Sequence, residues 1–230
     1  MVRITLNKPY IPIPVPVTVT AVKYGLLYNW FAATDARNIA ADGWEVPTDT
    51  QLDSLVTYLG GILVAGGELK ESGLLYFNTP NTGAVNSVGF NGRGNGIRQA
   101  GGTFSDIKNN FNIWNKTDFN ATIAFQHTLG IHSSTGITNG GLPKTSGMGV
   151  RPIKTTTTLT HGQTGTYTGN DGKVYRTICI GTQEWLADNL CETKYRNGDT
   201  IPEVTNNAEW AALSTGALCA YNNDWSNVLI

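Results

Sequence analysis

The run Thr48 to Gly61, TDTQLDSLVTYLGG, is an amphipathic helix with both of its ends written in. Thr48 reads as the N-cap, Gln51 three residues on completes a capping box, and Pro47 stands just outside. Leu52, Leu55, Val56 and Leu59 recur at i, i+3, i+4 and i+7 and form one apolar stripe. Gly60-Gly61 ends the helix where a left-handed residue is needed. Upstream, Leu26, Leu27, Trp30 and Phe31 predict a second, shorter amphipathic helix. The link Gly43-Trp44-Glu45-Val46-Pro47 is too apolar for a free loop, so Trp44 is expected to plug the core between the two helices. Tyr24 to Gly61 is thus a packing hub without a catalytic pattern.

A chain of 230 residues has material for one large domain or two small ones. Only 14% of it is charged, against 40% hydrophobic, so Asn, Thr, Ser and Gly must cover much of the surface. With 27 Gly and 10% aromatics, the composition favours a loop-rich β or α+β protein over a helical bundle. A net charge of −1 lacks the electrostatic footprint of a nucleic-acid binder. No run reaches the roughly 18 apolar residues of a membrane span.

Residues 1–23, MVRITLNKPYIPIPVPVTVTAVK, do not read as a signal peptide. Pro9, Pro12, Pro14 and Pro16 break the apolar part, and no small-residue cleavage site follows. The segment is either a loose leader or an extended, Pro-rich arm lying along a partner. Beyond the hub, residues 72 to 113 form a long structured loop region pinned by Leu74, Leu75, Tyr76, Phe77, Phe90, Ile97, Phe104, Ile107 and Phe111. Short strands are predicted at Ile113-Trp114, Thr122 to Leu129 and Gly149 to Ile153, with turns at Ser133 to Gly136 and Asn139 to Gly141. Lys154 to Thr164, KTTTTLTHGQT, reads as a linker. After it, Thr166 to Thr168 and Lys173 to Ile180 flank a Gly169-Asn170-Asp171-Gly172 turn as a hairpin. A short helix is predicted near Asn206 with Trp210 and Leu213 on its buried face, and the apolar end Asn227-Val228-Leu229-Ile230 must pair with something. Cys179, Cys191 and Cys219 argue for reduced thiols, with a single Cys191–Cys219 bridge as the alternative.

Several of these motifs, in order, resemble the Fibrobacter succinogenes major paralogous domain, a family similar to C-type lectin-like folds. They are YGLLYNWFAA, DGWEVPTDTQLDSLVTYLGG, GGELKESG, FNTPNTGAVNSVGFNGRGNGIR and GMGVRPIK. In the last quarter, DGKVYRTICIGTQEWLADNLCETKYRNGDTIPEV, NNAEWAAL and CAYNND resemble the family's opening half. The resemblance therefore implies an α+β, C-type lectin-like fold in circularly permuted order, with two main helices, short antiparallel strands and a long structured loop region. Its parts are an arm at 1–23, the domain's C-terminal half at 24–153, the linker at 154–164, and the N-terminal half at 165–230. Extended, the 11 linker residues reach roughly 36 Å, enough to bridge neighbouring strands. The alternative is that 165–230 completes a neighbouring subunit. Where the family carries a cysteine pair, this chain has Ala40 and Pro152, which fits folding in a reducing compartment.

No residue pattern supports catalysis. The formylglycine-generating relatives of the lectin fold use cysteines near the C-terminal strands, and this chain has none between Lys116 and Lys154. His127, His132 and His161 lack metal-ligand spacing. Asn222-Asn223-Asp224-Trp225 has the composition of a calcium-lectin strand but stands in the wrong half and order. Gly92-Arg93-Gly94-Asn95-Gly96 supplies tight turns rather than a phosphate cradle, with Arg98 expected on a carboxylate or carbonyls. The three cysteines read as small core hydrophobes, and no cofactor or metal is implied.

What remains is a recognition face. By analogy with lectin-like folds it comprises Lys116, Asp118, Phe119, Asn120, His132, Ser133 and Asn139, planar polar groups with one aromatic, suited to a glycan or protein. The combined reading is a non-enzymatic structural and recognition module of a phage virion, in a head or tail fibre, made in the host cytoplasm. Residues 1–23 would attach it to other virion proteins, the lectin-like face would meet a host glycan or surface protein, and a homotrimer is expected by analogy. A bacterial cell-surface or exported binding domain is the alternative.

Overall fold

Thr48 caps helix α2 (Asp49–Tyr58) with the predicted reciprocal capping box with Gln51. Leu52 and Leu55 are fully buried, Val56 and Leu59 pack against the same cluster, and Gly60 and Gly61 both take positive φ. The computed structural model describes residues 18–133 and 138–230. Residues 1–17 of the expected arm, and Ser134 to Gly136 of the expected turn, lie outside the described residues.

The helix belongs to an α+β architecture in which strands predominate. Before it come β1 (Leu27–Tyr28), α1 (Trp30–Ala33) and β2 (Trp44–Glu45). After it come α3 (Ala65–Leu69), β3 (Asn95–Arg98), β4 (Phe104–Ile107), β5 (Asn110–Asp118), β6 (Ile123–Gly130), β7 (Thr138–Pro143) and β8 (Ile153–Lys154). The last quarter adds β9 (Thr164–Thr168), β10 (Val174–Ile180), β11 (Gln183–Leu186), α4 (Asn207–Ala211) and β12 (Leu218–Cys219). No helix among the described residues is long and apolar enough to cross a membrane.

Sheet pairing binds the last quarter to the rest of the same chain. The five-stranded sheet runs β2-β8-β11-β10-β9, so two strands from before the threonine run pair with three from after it. β1 pairs antiparallel with β12, and Val22 bridges Leu229. Ile230 donates its backbone N–H to Ala21 at 2.9 Å, and Lys23 donates to Val228 at 2.9 Å. The apolar C-terminal residues thus lie against Ala21 to Gly25. The main core mixes both parts: Tyr28, Trp114, Met148 and Val150 pack with Tyr167, Tyr175, Leu186 and Leu218.

Two buried arginines reinforce the join. Arg98 donates to the carbonyls of Gly102, Val204, Thr205 and Asn206, between the rings of Phe104 and Trp210. Arg151 donates to the carbonyls of Phe90, Leu186 and Asn91 and to Asn189 Oδ1.

Several local expectations are corrected. Leu26 and Leu27 are not helical: β1 occupies Leu27–Tyr28, because its partner strand arrives from β12, and α1 keeps only Trp30–Ala33. Among the described residues there is thus one long helix, not two. Trp44 is buried in β2 with Tyr167 edge-on at 5.0 Å, so it plugs the core at the sheet rather than between helices. Leu74 and Leu75 are exposed and anchor nothing, whereas Tyr76, Phe77, Phe90, Ile97 and Phe111 are buried as expected. Asn139 to Gly141 lies in β7 because β6 supplies the pairing partner, and of Gly149 to Ile153 only Ile153 joins a named strand. The threonine run is tied down: Thr155 donates to Gly43 at 2.9 Å, Thr157 to Glu184 at 2.5 Å, and Gly162 to Cys179 at 2.8 Å.

Arg98→Lys is expected to lower unfolding stability by on the order of 2–4 kcal/mol, since an ammonium cannot reach the four carbonyls served by the guanidinium fork. Urea unfolding checks this through a lower midpoint with an unchanged slope.

Candidate functional site

The β5–β6 hairpin ends in a tight turn closed by Asn120, whose Oδ1 accepts from the backbone N–H groups of Thr122 and Ile123, each at 2.9 Å. Beside it Phe119 is 56% exposed and meets Phe125 edge-on, with centroids 5.0 Å apart. Asp118 accepts from the Lys144 ammonium at 2.8 Å, and that ammonium also sits 4.3 Å from the Trp30 ring centroid. Trp30 in turn donates from Nε1 to the Asn115 carbonyl at 2.9 Å, so α1 is fastened to β5. Two strand positions back, Lys116 pairs with Glu45 of β2 at 2.5 Å. Lys116 borders a cleft of about 280 Å³ whose lining includes Ala33, Thr34, Ile39 and Glu45.

Lys116, Asp118, Phe119 and Asn120 are therefore brought together. His132 and Ser133 are not. They follow β6 at its far end, since Ala124 pairs with Asp118 whereas Gly130 pairs with Asn110. Six residues of strand put the two groups about 20 Å apart. His132 is exposed, and the Ser133 carbonyl is held by the buried Lys70 ammonium, which also binds the carbonyls of Thr82 and Gly130. Asn139 lies in β7 opposite His127. Trp30, Lys144 and Glu45, absent from the expected face, complete the hairpin-tip cluster. Trp30 reads in sequence as a packing residue, and Lys144 meets Asp118 only through the β6–β7 register, which leaves no local signal.

The charges at this end are paired. The Arg37 guanidinium holds the Asp35 carboxyl below the usual carboxylate range. Burial pushes the Glu45 carboxyl up, but the Lys116 ammonium and the Gln51 amide outweigh it and leave it lowered. Under the sheet, His127 is buried; its Nδ1 faces the Asn115 amide at 3.2 Å, and its Nε2 lies 3.3 Å from Asp49 Oδ1 without hydrogen-bond alignment. Burial lowers its pKa to about 4 against the pull of Asp53, so the imidazole is neutral at neutral pH. Across the cleft wall, Asn170 of the β9–β10 turn donates to the Ile39 carbonyl at 2.8 Å. That turn is seated on buried Glu192, which accepts from the Asp171 N–H at 2.7 Å and the Tyr175 hydroxyl at 2.6 Å. Burial raises the Glu192 carboxyl to about 7. A Cβ on Gly169 would collide with that carboxylate, so a larger residue there would have to displace the Glu192 side chain.

None of the thiols lines the cleft, and Cys191 Sγ lies 3.2 Å from the Tyr175 hydroxyl. All three cysteines are buried and unbridged, and burial pushes Cys191 and Cys219 up to about 12, which keeps them protonated. Among the described residues no group of three or more His, Cys, Asp or Glu side chains is placed to hold a metal ion.

The family comparison now joins the geometry: the family model described as Fibrobacter succinogenes major domain matches residues 16–154, more than half of the chain. The chain belongs to that family. No curated protein and no solved structure matches it. Within this Fibrobacter succinogenes major domain, the match takes in α1, the cleft walls and the whole three-stranded sheet β5-β6-β7, but ends at Lys154. The groups that brace the cleft from behind, Asn170 and Arg196, lie beyond it.

The two buried titrations predict opposite pH slopes. Glu192, raised from 4.5 to about 7, stabilises the fold at low pH, and that contribution is lost as pH rises from 4.5 through 7. His127, lowered from 6.5 to about 4, costs stability as pH falls from 6.5 through 4. Each amounts to on the order of 3 kcal/mol across its window. Relative to the native chain, Glu192→Gln should gain stability progressively above pH 5, and His127→Gln should gain it below pH 6. Urea midpoints measured from pH 4 to 8 check both slopes.

Proposed function

We propose that this chain is a non-enzymatic structural and recognition module whose hairpin tip meets a glycan or protein on a host surface. The observation that carries the reading is the preset tip: an exposed Phe119 braced by Phe125, beside Asp118, Lys144 and Trp30 already fixed in one geometry. Rigid aromatic and planar polar groups on a scaffold bind with little loss of freedom. The fold is read as C-type lectin-like with its halves in circularly permuted order. The pairing of β1 with β12 and of Val22 with Leu229 supports that order, because it places the chain's last residues where the hub begins.

The setting we propose is a virion, as a phage head or tail fibre protein, with residues 1–23 contacting other virion proteins and a trimer as the assembly. Support comes from the protonated, unbridged cysteines and from Ala40 and Pro152 at the places of the family's cysteine pair, which suit a chain folded in a reducing compartment. A bacterial surface or exported binding domain is the second reading, favoured by the family match itself.

Phe119→Ala is expected to weaken binding to host cells tenfold or more while costing about 1 kcal/mol or less of stability. Pull-down of labelled protein on intact cells, with a parallel melting curve, checks both. Unchanged cell binding by the folded variant would remove the hairpin tip from the reading.

A further inference from the structure

The cleft behind Lys116 has a character of its own. Its floor is apolar and built of small or branched side chains, Ala33, Ile39 and Val46, each buried apart from the little it shows to the cleft. Its rim is polar, with Asp35, Glu45 and Lys116. At about 280 Å³ it sits at the lower end of ligand pockets, with room for one ring and not for a chain of them.

Every rim charge is already paired. Asp35 Oδ1 accepts from the Arg37 N–H and Nε at 2.9 Å each, and Oδ2 from Nη2 at 2.8 Å. Glu45 accepts from Gln51 at 2.9 Å and from Lys116 at 2.5 Å. A charged ligand would find no unpaired counter-charge and would have to break one of these pairs to make one. Hydrogen-bonding capacity nevertheless remains. A carboxylate offers about four lone-pair sites and an ammonium three N–H bonds, so the Glu45–Lys116 pair can still both accept and donate. A group that donates and accepts at one atom, a hydroxyl, fits such a rim. An apolar floor beneath a hydroxyl-matching rim describes the two faces of a sugar ring.

The walls are also held before any ligand arrives. Asn170 fixes the Ile39 carbonyl at 2.8 Å, and Arg196 fixes those of Ala40 and Ala41 at 2.9 and 2.8 Å. Both braces come from the last quarter of the chain. Preorganisation of this kind limits the ordering cost of binding a small ligand.

We propose that the cleft walled by Ala33, Ile39, Glu45 and Lys116 is a binding site for a single uncharged sugar ring, one unit of a glycan whose neighbouring units pass toward Phe119. This assignment rests on the recognition reading above and narrows it to a ligand class and a location.

The test is titration of the isotope-labelled full chain with methyl glycosides of neutral hexoses, and separately with N-acetylneuraminic acid and glucuronic acid, followed by amide chemical shifts. The expected result is millimolar binding of at least one neutral glycoside, with shifts at Ala33, Ile39 and Val46 and weaker or no response to the acids. Ala33→Leu, which fills the floor, should reduce that affinity at least tenfold. Lys116→Met, at an exposed position, should reduce it at least fivefold and decides the matter if Ala33→Leu fails to fold. Preference for the acidic sugars overturns the charge argument, and with it the proposal. Shifts confined to Phe119 and Asn120 overturn the cleft assignment but leave hairpin-tip recognition standing. Host-cell binding without any response to the glycosides points to a protein ligand and overturns the sugar assignment alone. Loss of both sinks this proposal and the recognition reading together.

Discussion

Arg98 and Arg151 are the interaction on which the rest of the structure leans. Each guanidinium is fully buried, and each takes up main-chain carbonyls from segments far apart in sequence. A buried charge is costly unless its donors are satisfied. Here the cost is offset by making the charge a junction: Arg98 gathers Gly102 and the segment Val204 to Asn206 that leads into α4, and Arg151 gathers Phe90, Asn91 and Leu186. The loop region that supplies these carbonyls has little regular structure with which to satisfy them internally. Lys70 does the same for Thr82, Gly130 and Ser133. In a chain with 14% charged residues, Lys70, Arg98 and Arg151 are thus turned onto its own backbone and satisfy carbonyls of irregular segments.

That economy explains which parts of the fold were legible. The cap and stripe of α2, the Gly169 to Gly172 hairpin, and the short helix near Asn206 with Trp210 on its buried face are all written within about a dozen residues. All appear where the sequence puts them. Elements whose partner is remote were misread. Leu27–Tyr28 is extended because Leu218–Cys219 lies beside it, and Asn139 to Gly141 is extended because β6 does. Leu74 and Leu75 looked like anchors by composition, but the loop turns them out and buries Tyr76 and Phe77 instead. The Arg98 expectation succeeded in chemistry, carbonyls being one of two options, though nothing local says which ones.

The candidate site was half legible for the same reason. Lys116, Asp118, Phe119 and Asn120 are consecutive or alternate on one hairpin, so any correct strand reading keeps them together. His132 and Ser133 were grouped with them by position after the strand, but an antiparallel register carries the next turn to the opposite end. Lys144, Trp30 and Glu45 come from three other elements and needed the fold to be seen. Their charges meet as finished pairs, which makes this end of the molecule rigid and close to neutral in spite of its polar surface.

The family match stops at Lys154, yet the folded unit does not. β8 would have only β2 beside it without β11, and the cluster around Leu52, Phe90 and Phe111 would lose Ile178, Ile180 and Trp185. Residues 16–154 taken alone would therefore expose an apolar sheet face, leave Arg98 with only the Gly102 carbonyl, and take Leu186 and Asn189 away from Arg151. The cleft would lose Asn170 and Arg196, which hold its far wall. The piece that carries the candidate site and the piece that stiffens it are separated by the threonine run in sequence and joined by long-range pairing in space. The site is lined by residues inside the family match and braced by Asn170 and Arg196 beyond it.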